Sequence, residues 1–586
     1  MGKIYLAQFS VVIEDQFVFF PFSAGCIWAY AESKGTVSRK DLGKIFYIKE
    51  PIQDILDQLN DPKIFGFSHY VWNEKYNDTL AKAVKDLYPD CLIVYGGPQV
   101  PDDFTKPWYK ERSWVDVCVH QEGEKVFNQL IAGEPLETIK GISFNKNGWH
   151  KNQPKDRIFE LDELPSPYTM GLFDEMITDE LVPNMVMETD RGCPYKCTFC
   201  DWGSATFSKV RKMDLDRVFS EIEWAGKNKV EMLLLANANF GIFKERDNQI
   251  VDKIIATKNK YGYPKTYDGS WAKNSNKDVL ALSKKLKDAD LLRKFGISMQ
   301  SMSPTVLENI KRSNMKINDF EGIIKEAEGY GISVMVELIV GLPGETYDSW
   351  TENYAKLMEY KNINVEHYPL SLLNNSELND PHTIKEFQLK YEIVDFGAIA
   401  SHIIEEKAMQ ITSTSTLPPE DLKKVWQWSW CARLGHTLGI TNVIADKCKE
   451  LGITTKKFYD KWFEYIRSSK GILNEKFELW NQFLSEYDYM KYNFNYEYLD
   501  DIGHSRRKET IKDIKQFLEF INIDNSIAYL FDIYYYTPEY TYPKTFGDIT
   551  VDHKGMGSVK KYSSYIGLNR KNSGWKCKEL DITIKR

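Results

Sequence analysis

Three cysteines, Cys193, Cys197 and Cys200, stand within the stretch Arg191-Gly-Cys-Pro-Tyr-Lys-Cys-Thr-Phe-Cys-Asp-Trp-Gly203. Thiolates this close repel one another unless a cation neutralises them, and a soft ligand set of this kind selects iron–sulfur clusters or zinc. Structural zinc takes four protein ligands, and neither a nearby fourth cysteine nor a second Cys-x-x-Cys follows the trio. Three thiolates on a four-iron four-sulfur cluster leave one iron open to a small molecule. A zinc loop of odd make-up and a chance trio of core thiols are the alternatives.

Such a loop needs a strand to lead into it and a sheet to hold it. Residues 184–188 read as that strand, and further strand-like runs follow at 232–235, 296–299, 334–340 and 365–370, with helical patterns between them. Ahead of the cysteines, apolar runs at 4–12, 45–48, 64–69, 91–95 and 115–119 alternate with helical patterns at 24–33, 52–59, 78–87 and 124–131. Alternation of this kind predicts a doubly wound parallel sheet, whose ligand lies across the carboxyl ends of the strands. The loops expected there are 21–25, 68–73, 96–99 and 121–124, rich in small and polar groups. Their glycines let a bulky planar ligand come close to the backbone, although each taken singly is more often a turn former.

The three-then-two spacing, with Phe199 just before the third cysteine, resembles the signature of the radical S-adenosylmethionine enzymes. The order of loops ahead of it resembles the cobalamin-binding domain of the cobalamin-dependent radical-SAM family, whose class B members are methyltransferases. The resemblance covers roughly residues 1–380. It implies an α/β chain with an N-terminal Rossmann-like cobalamin domain (1–140) and a linker with a short β excursion (141–180). A partial (β/α)6 radical-SAM barrel (181–384) and a mainly helical C-terminal domain with a small β tail (385–586) follow.

Residue by residue, the resemblance implies a 4Fe-4S cluster on Cys193, Cys197 and Cys200. It sets S-adenosylmethionine near Phe199, with Asn237 and Asn239 on its amino and carboxylate groups, Gln300 and Ser301 near the ribose, and Gly341 at the adenine. Glu337 stands in the same stretch, Val336-Glu-Leu-Ile-Val-Gly-Leu-Pro-Gly-Glu345, and Arg312 is a candidate carboxylate clamp. A plain turn at the asparagines and a surface role for Arg312 are the alternatives. Cobalamin is expected against Ser23, Ser68, Tyr70, Trp72, Asn73, Gly96, Gly97, Pro98, Gln99, Glu122, Gly123 and Glu124. The Asp-x-His-x-x-Gly signature of a lower histidine ligand is absent. The cobalt is therefore expected to have no histidine beneath it, with His69 and His120 as structural residues.

The function so implied is methyl transfer to an unactivated carbon, or to phosphorus, through a 5'-deoxyadenosyl radical and methylcobalamin. The alternatives are radical chemistry without methyl transfer, such as cyclisation, ring contraction or oxidation, and a non-catalytic cobalamin or iron–sulfur sensor. A small-molecule or peptide substrate and an external electron donor such as flavodoxin or ferredoxin are the expected partners.

Composition is that of a folded, soluble protein. The 586 residues exceed one ordinary core, and 42% are hydrophobic and 27% charged. A net charge of -8, from 76 basic and 84 acidic residues, offers no general attraction to phosphate backbones, so nucleic acid is not an expected partner. The early apolar stretch 17–31 is too short to span a bilayer and is broken by Pro21 and Gly25, and the six remaining cysteines lie far apart, so a cytoplasmic setting is expected. Beyond residue 385 helices are expected at 382–391, 419–434, 456–468, 475–487 and 508–521. Trp426, Trp428 and Trp430, the tyrosines and phenylalanine from 487 to 498, and Tyr534 to Tyr536 are read as core more readily than as a substrate pocket. Cys577 is read as an ordinary thiol outside the site.

Overall fold

The computed structural model describes residues 2–10, 17–178, 182–202, 209–273, 277–360, 362–395, 404–482, 484, 501–502 and 506–529, with the backbone of four short strands between 551 and 576. Two compact units divide the chain. The first holds Met1–Ala272, Ser371–Ile384 and Ile393–Met409; the second holds Lys273–Leu370, Lys385–Glu392 and Gln410–Arg586.

The first unit opens with β1 (Lys3–Ala7), β2 (Phe17–Phe19), α1 (Phe22–Ser33), β3 (Leu42–Phe46), α2 (Ile52–Leu56), β4 (Pro62–Ser68) and α3 (Glu74–Leu87). Then come β5 (Leu92–Gly96), α4 (Pro107–Glu111), β6 (Val117–Val119), α5 (Glu124–Ile131), β7 (Ile142–Asn145) and β8 (Trp149–Lys151). Seven of these strands form one sheet in the order β3-β1-β4-β5-β6-β7-β8. The first five are parallel, and β7 and β8 add an antiparallel edge. Leaving β2 aside, the parallel strands run 2-1-3-4-5, a doubly wound order that reverses between β1 and β4. Ile64, Phe65 and Phe67 of β4 are all buried, as a strand covered on both faces requires. Helix α3 closes one face with Tyr76, Leu80, Ala81 and Val84 at helical spacing.

The expected strand 4–12 is shorter, ending at Ala7, and β2 leaves this sheet altogether. It pairs in parallel with β9 (Val182–Met187) at the edge of a second sheet, ordered β13-β12-β9-β2. Between β9 and the next long strand lie a two-residue ladder, β10 (Asp190–Arg191) with β11 (Arg211–Lys212), and α6 (Leu215–Lys227). The sheet is completed by β12 (Met232–Phe240), α7 (Lys244–Tyr261) and β13 (Thr266–Trp271), all its pairings being parallel. The sequence reading passes over β13, because Thr-Tyr-Asp-Gly-Ser-Trp has a polar middle and a glycine, which hide the strand pattern.

The second unit contains α8 (Lys277–Asp288), β14 (Phe295–Gln300), α9 (Pro304–Asn309), α10 (Ile317–Gly329), β15 (Val334–Val340), α11 (Tyr347–Leu357) and β16 (Ile363–Pro369). Its sheet, β14-β15-β16, is parallel throughout. Along the chain, β9, β12, β13, β14, β15 and β16 thus alternate with helices as a sixfold β/α repeat does. Beyond them lie α12 (Pro381–Glu386), β17 (Lys390–Asp395) and β18 (Lys407–Ser413). The helix expected over 382–391 stops early: Gln388 adopts a left-handed φ of 51°, and the β-branched run that follows is extended.

Helices α13 (Pro419–Ala432), α14 (Asn442–Glu450), α15 (Thr455–Ser468), α16 (Ile472–Asn481) and α17 (Arg507–Phe520) make the C-terminal region mainly helical. Trp426, Trp428 and Trp430 are core residues, with Trp430 stacked on Trp480 and the Trp428 indole N–H donating to Asp460. The aromatics from 487 to 498, Tyr534 to Tyr536 and Cys577 lie outside the described residues. In the β tail, two antiparallel strand pairs are present, Val551–His553 with Gly557–Val559 and Gly567–Asn569 with Gly574–Lys576. Among the described residues, no helix is long and apolar enough to cross a membrane.

Candidate functional site

Strand β9 delivers the cysteine segment. Met185 and Met187 anchor the strand in the core, and the chain then forms the β10–β11 ladder. Gly192, with φ of +130°, follows at once: a Cβ there would lie 2.5 Å from the Lys209 carbonyl oxygen, so only glycine fits. Cys193 and Cys197 are buried and Cys200 is half-buried, its amide donating to the Cys197 carbonyl at 3.1 Å. No disulfide joins the described cysteines. Among the described residues, no three His, Cys, Asp or Glu side chains converge as ligands of one metal ion. A cubane cluster asks for something different, each thiolate binding its own iron. The donor set fits that: three thiols on one segment, with the Asn239 amide nitrogen 3.4 Å from the Cys193 sulfur.

The two asparagines divide their work. Strand β12 continues through both, with its register against β13 interrupted between Leu235 and Phe240, so neither lies in a plain turn. Asn237 is saturated by its neighbours: its amide donates to Thr189 Oγ1 and Asp190 Oδ2, and its oxygen accepts from the Thr189 amide. Burial, reinforced by the Asp247 charge, raises the Asp190 carboxyl to about 7. Arg246 ties the same bend to its surroundings by donating to the Thr189 and Met213 carbonyls. Phe199 is half-buried beside the third cysteine.

At the carboxyl edge of the seven-stranded sheet, Ser68, Ser23 and Gln8 form a hydrogen-bonded chain beside the β1/β4 reversal. Ser23 Oγ donates to Gln8 Oε1 at 2.7 Å and lies 3.1 Å from Ser68 Oγ. Tyr70 is stacked on Trp72 with ring centres 4.5 Å apart. Asn73 is buried and structural, bonding the Tyr70 amide and the Phe9 and Ser68 carbonyls. Gly97, with φ of +103°, makes its close approach to the chain itself, since a Cβ would stand 2.6 Å from the His69 carbonyl oxygen. Gly96 and Gly123 meet only ordinary contacts. The Pro98 carbonyl accepts from Asn375, and Gln99 donates to Glu74. His69 is buried against Tyr95 and bonded to Asn77, and His120 lies 2.8 Å from Ser143 Oγ and 3.2 Å from Asp102.

Glu122 and Glu124 are engaged by arginines. Glu122 Oε1 stands 2.8 Å from Arg211 Nη1 and 3.4 Å from Arg191 Nη1, and its other oxygen accepts from the Ile158 amide. Glu124 takes a bond from Arg191 at 3.0 Å. Nothing in the sequence pattern singles out Arg211, whereas Arg191-Gly directly ahead of the cysteines was a usable signal.

In the second unit, Gln300 ends β14 with a left-handed φ of 64°, and Ser301 donates to Glu345 at 2.9 Å. Arg312 is buried, bonded to Asn314 and to the Ser298 carbonyl. Ser298 in turn donates to Glu337 at 2.6 Å, and Gly341 follows β15. Burial raises the Glu345 carboxyl, which Ser301 and Ser349 stabilise by hydrogen bonds. Glu345 is a site neighbour that the sequence reading quotes without assigning a role.

Residues 187–357 match the family model described as "Radical SAM superfamily". The chain is 35% identical over 390 residues to "Cobalamin-dependent radical SAM methyltransferase TokK" of Streptomyces tokunonensis, covering 64% of this chain and 57% of that protein. It is also 35% identical over 388 residues to "2-(S-pantetheinyl)-carbapenam-3-carboxylate methyltransferase" of Streptantibioticus cattleyicolor, covering 64% and 56%. The match thus spans little more than half the length of these relatives. Among solved structures, "Cobalamin-dependent S-adenosylmethionine radical enzyme OxsB with aqua-cobalamin and S-adenosylmethionine bound" shares the fold, with a TM-score of 0.56 at 15% identity over 89% of this chain and 76% of that one. The fold class is therefore a doubly wound domain, a radical-SAM domain and a helical C-terminal region.

Proposed function

We propose that this chain is a cobalamin-dependent radical S-adenosylmethionine methyltransferase acting on an unactivated carbon of a small molecule. One observation carries the reading: three thiols follow β9 on a glycine-pinned segment, with the Asn239 amide on the Cys193 sulfur. The names of the two relatives, and a doubly wound sheet ahead of that segment, support the corrinoid and the methyl transfer.

In this reading Cys193, Cys197 and Cys200 hold a 4Fe-4S cluster, and Ser23, Ser68, Tyr70, Trp72 and the Gly96–Gln99 loop hold cobalamin. When bound, the cluster supplies the electron that splits S-adenosylmethionine into methionine and a 5'-deoxyadenosyl radical, and the corrinoid supplies the methyl group. The chain's own part is placement and exclusion of water. Burial of Cys193 and Cys197 keeps solvent from two of the three thiolates. Asn239 donates toward a sulfur, and Asn237 holds the bend that presents it. Gln300, Ser301, Arg312, Glu337 and Gly341 are the residues this reading assigns to the nucleoside and carboxylate ends of S-adenosylmethionine. His69 and His120 are buried and bonded to Asn77 and Ser143, so in this reading they would serve the fold and not hold the corrinoid. An external one-electron protein donor completes the cycle, and the working compartment is a reducing cytoplasm.

Anaerobic reconstitution with iron, sulfide and hydroxocobalamin tests the reading. Cluster and corrinoid absorption should both appear, Cys197→Ala should remove only the first, and a reductant with S-adenosylmethionine should release 5'-deoxyadenosine. Label from methyl-labelled S-adenosylmethionine in the product identifies methyl transfer; turnover without label would instead mean radical chemistry of another kind.

A further inference from the structure

The β10–β11 ladder is the neck of the segment that carries the cysteines, and its register sets Arg191 directly opposite Arg211. Two guanidiniums facing each other across a strand pair repel. Their side chains are only 10% and 5% exposed, so water screens them little. Three carboxylates answer them. Glu188 takes Arg191 Nη2 at 2.7 Å, Glu124 takes Arg191 Nη1 at 3.0 Å, and Glu122, 1% exposed, reaches both arginines at 3.4 and 2.8 Å. Lys155, whose amine burial depresses to about 8, adds a third cation nearby. Glu122 comes from the β6–α5 loop and Glu124 from the first residue of α5, so two of the three carboxylates at the neck are supplied by the doubly wound sheet and not by the sheet that leads into the cysteines.

We propose that Glu122 is a positioning residue that closes the neck of the cysteine segment by neutralising the Arg191–Arg211 pair, and is not a corrinoid contact. This inference rests on the cluster reading only for its consequence; the clamp itself belongs to the metal-free chain. Arg157 also stands close enough to feel both Glu122 and Arg211, so removing the Glu122 charge while keeping its shape leaves two carboxylates against four cations, and the ladder opens. Arg191 retains Glu124 and Glu188, so removing the Arg211 charge as well restores the wild-type difference between cations and carboxylates.

Hydrogen exchange on the metal-free full-length chain, followed by mass spectrometry, tests this. Glu122→Gln should speed exchange at the amides of residues 190–192 and 211–212 at least tenfold, with the far-UV spectrum intact, and E122Q/R211Q should bring exchange back toward wild type. Iron and sulfide bound after reconstitution should fall and recover in the same order, with the corrinoid absorption unchanged. Unchanged neck exchange in Glu122→Gln, or loss of corrinoid binding without neck opening, overturns the proposal. If Glu122→Gln does not fold, the double variant decides: a folded chain with a protected neck supports the clamp, and an unfolded one overturns it. A wild-type chain with a protected neck that never takes up a cluster would count against the cluster reading and leave the clamp standing.

Discussion

Asn239 on β12 reaches Cys193 in the loop after β10: the Asn239 amide nitrogen lies 3.4 Å from the Cys193 sulfur, while Asn237, two residues earlier on β12, is spent on Thr189 and Asp190. Side chains two apart on a strand share a face, yet one serves the thiol and the other the bend that carries it.

This division predicts opposite phenotypes. Asn237→Ala leaves a buried carboxyl and a backbone amide without their partners and should cost about 1–3 kcal/mol in urea unfolding. Asn239→Ala should change stability by less than about 1 kcal/mol, but should make the reduction potential of the bound cluster more negative, because a hydrogen bond to a ligating sulfur is lost. Equal loss of stability in the two variants would refute the division.

Asp190 should make stability fall with rising pH. Its folded-state carboxyl titrates at about 7, raised by burial and by Asp247, above the ordinary value of about 3.9 for an unfolded chain. Folded chain therefore binds this proton more tightly, so the contribution is complete below about pH 4 and is lost as pH climbs through 7. In the metal-free protein, Asp190→Asn should flatten this dependence by on the order of 1–3 kcal/mol between pH 4 and 8. Urea unfolding at several pH values reads it, and parallel curves for the two proteins would contradict it.

Two adjacent glycines should respond differently to alanine. Gly97→Ala places a Cβ 2.6 Å from a backbone oxygen at a φ of +103° and should destabilise by about 2 kcal/mol or more. Gly96→Ala meets nothing closer than 3.7 Å and should leave the melting temperature nearly unchanged. If the loop faces a corrinoid, the Gly96 substitution should nonetheless weaken hydroxocobalamin uptake, measured by spectral titration.

On the second unit's sheet, Glu337 and Glu366 are register partners on neighbouring strands. Ser298 holds the first, and Arg433 grips the second with both terminal nitrogens at 3.0 and 3.2 Å. Arg433→Met removes a counterion of that pair of carboxylates and should cost about 1–3 kcal/mol, more at low salt than at high. Adding Glu366→Gln should recover part of the loss, a coupling that a double-mutant cycle measures.

Much of this was legible along the chain. The alternation ahead of the cysteines announces the doubly wound sheet, and α5 begins and ends where its pattern does, at Glu124 and Ile131. Strand β15 likewise coincides with its apolar run, 334–340. Legibility failed where sequence pattern and local geometry part company. Strand β13 has a polar middle, and β2, three residues long and not among the expected strands, pairs with β9 in the second sheet.

The sequence by itself determined the donor set, the spacing of the thiols and the order of strands and helices, because these depend on residue type and on separations of a few positions. Which charges meet was decided only by tertiary structure. Glu122 stands 69 residues before Arg191, and in the chain's own order nothing distinguishes a carboxylate that touches a cofactor from one that closes a loop. That difference arises when burial strips water from both groups and leaves each with the partner the fold has brought beside it.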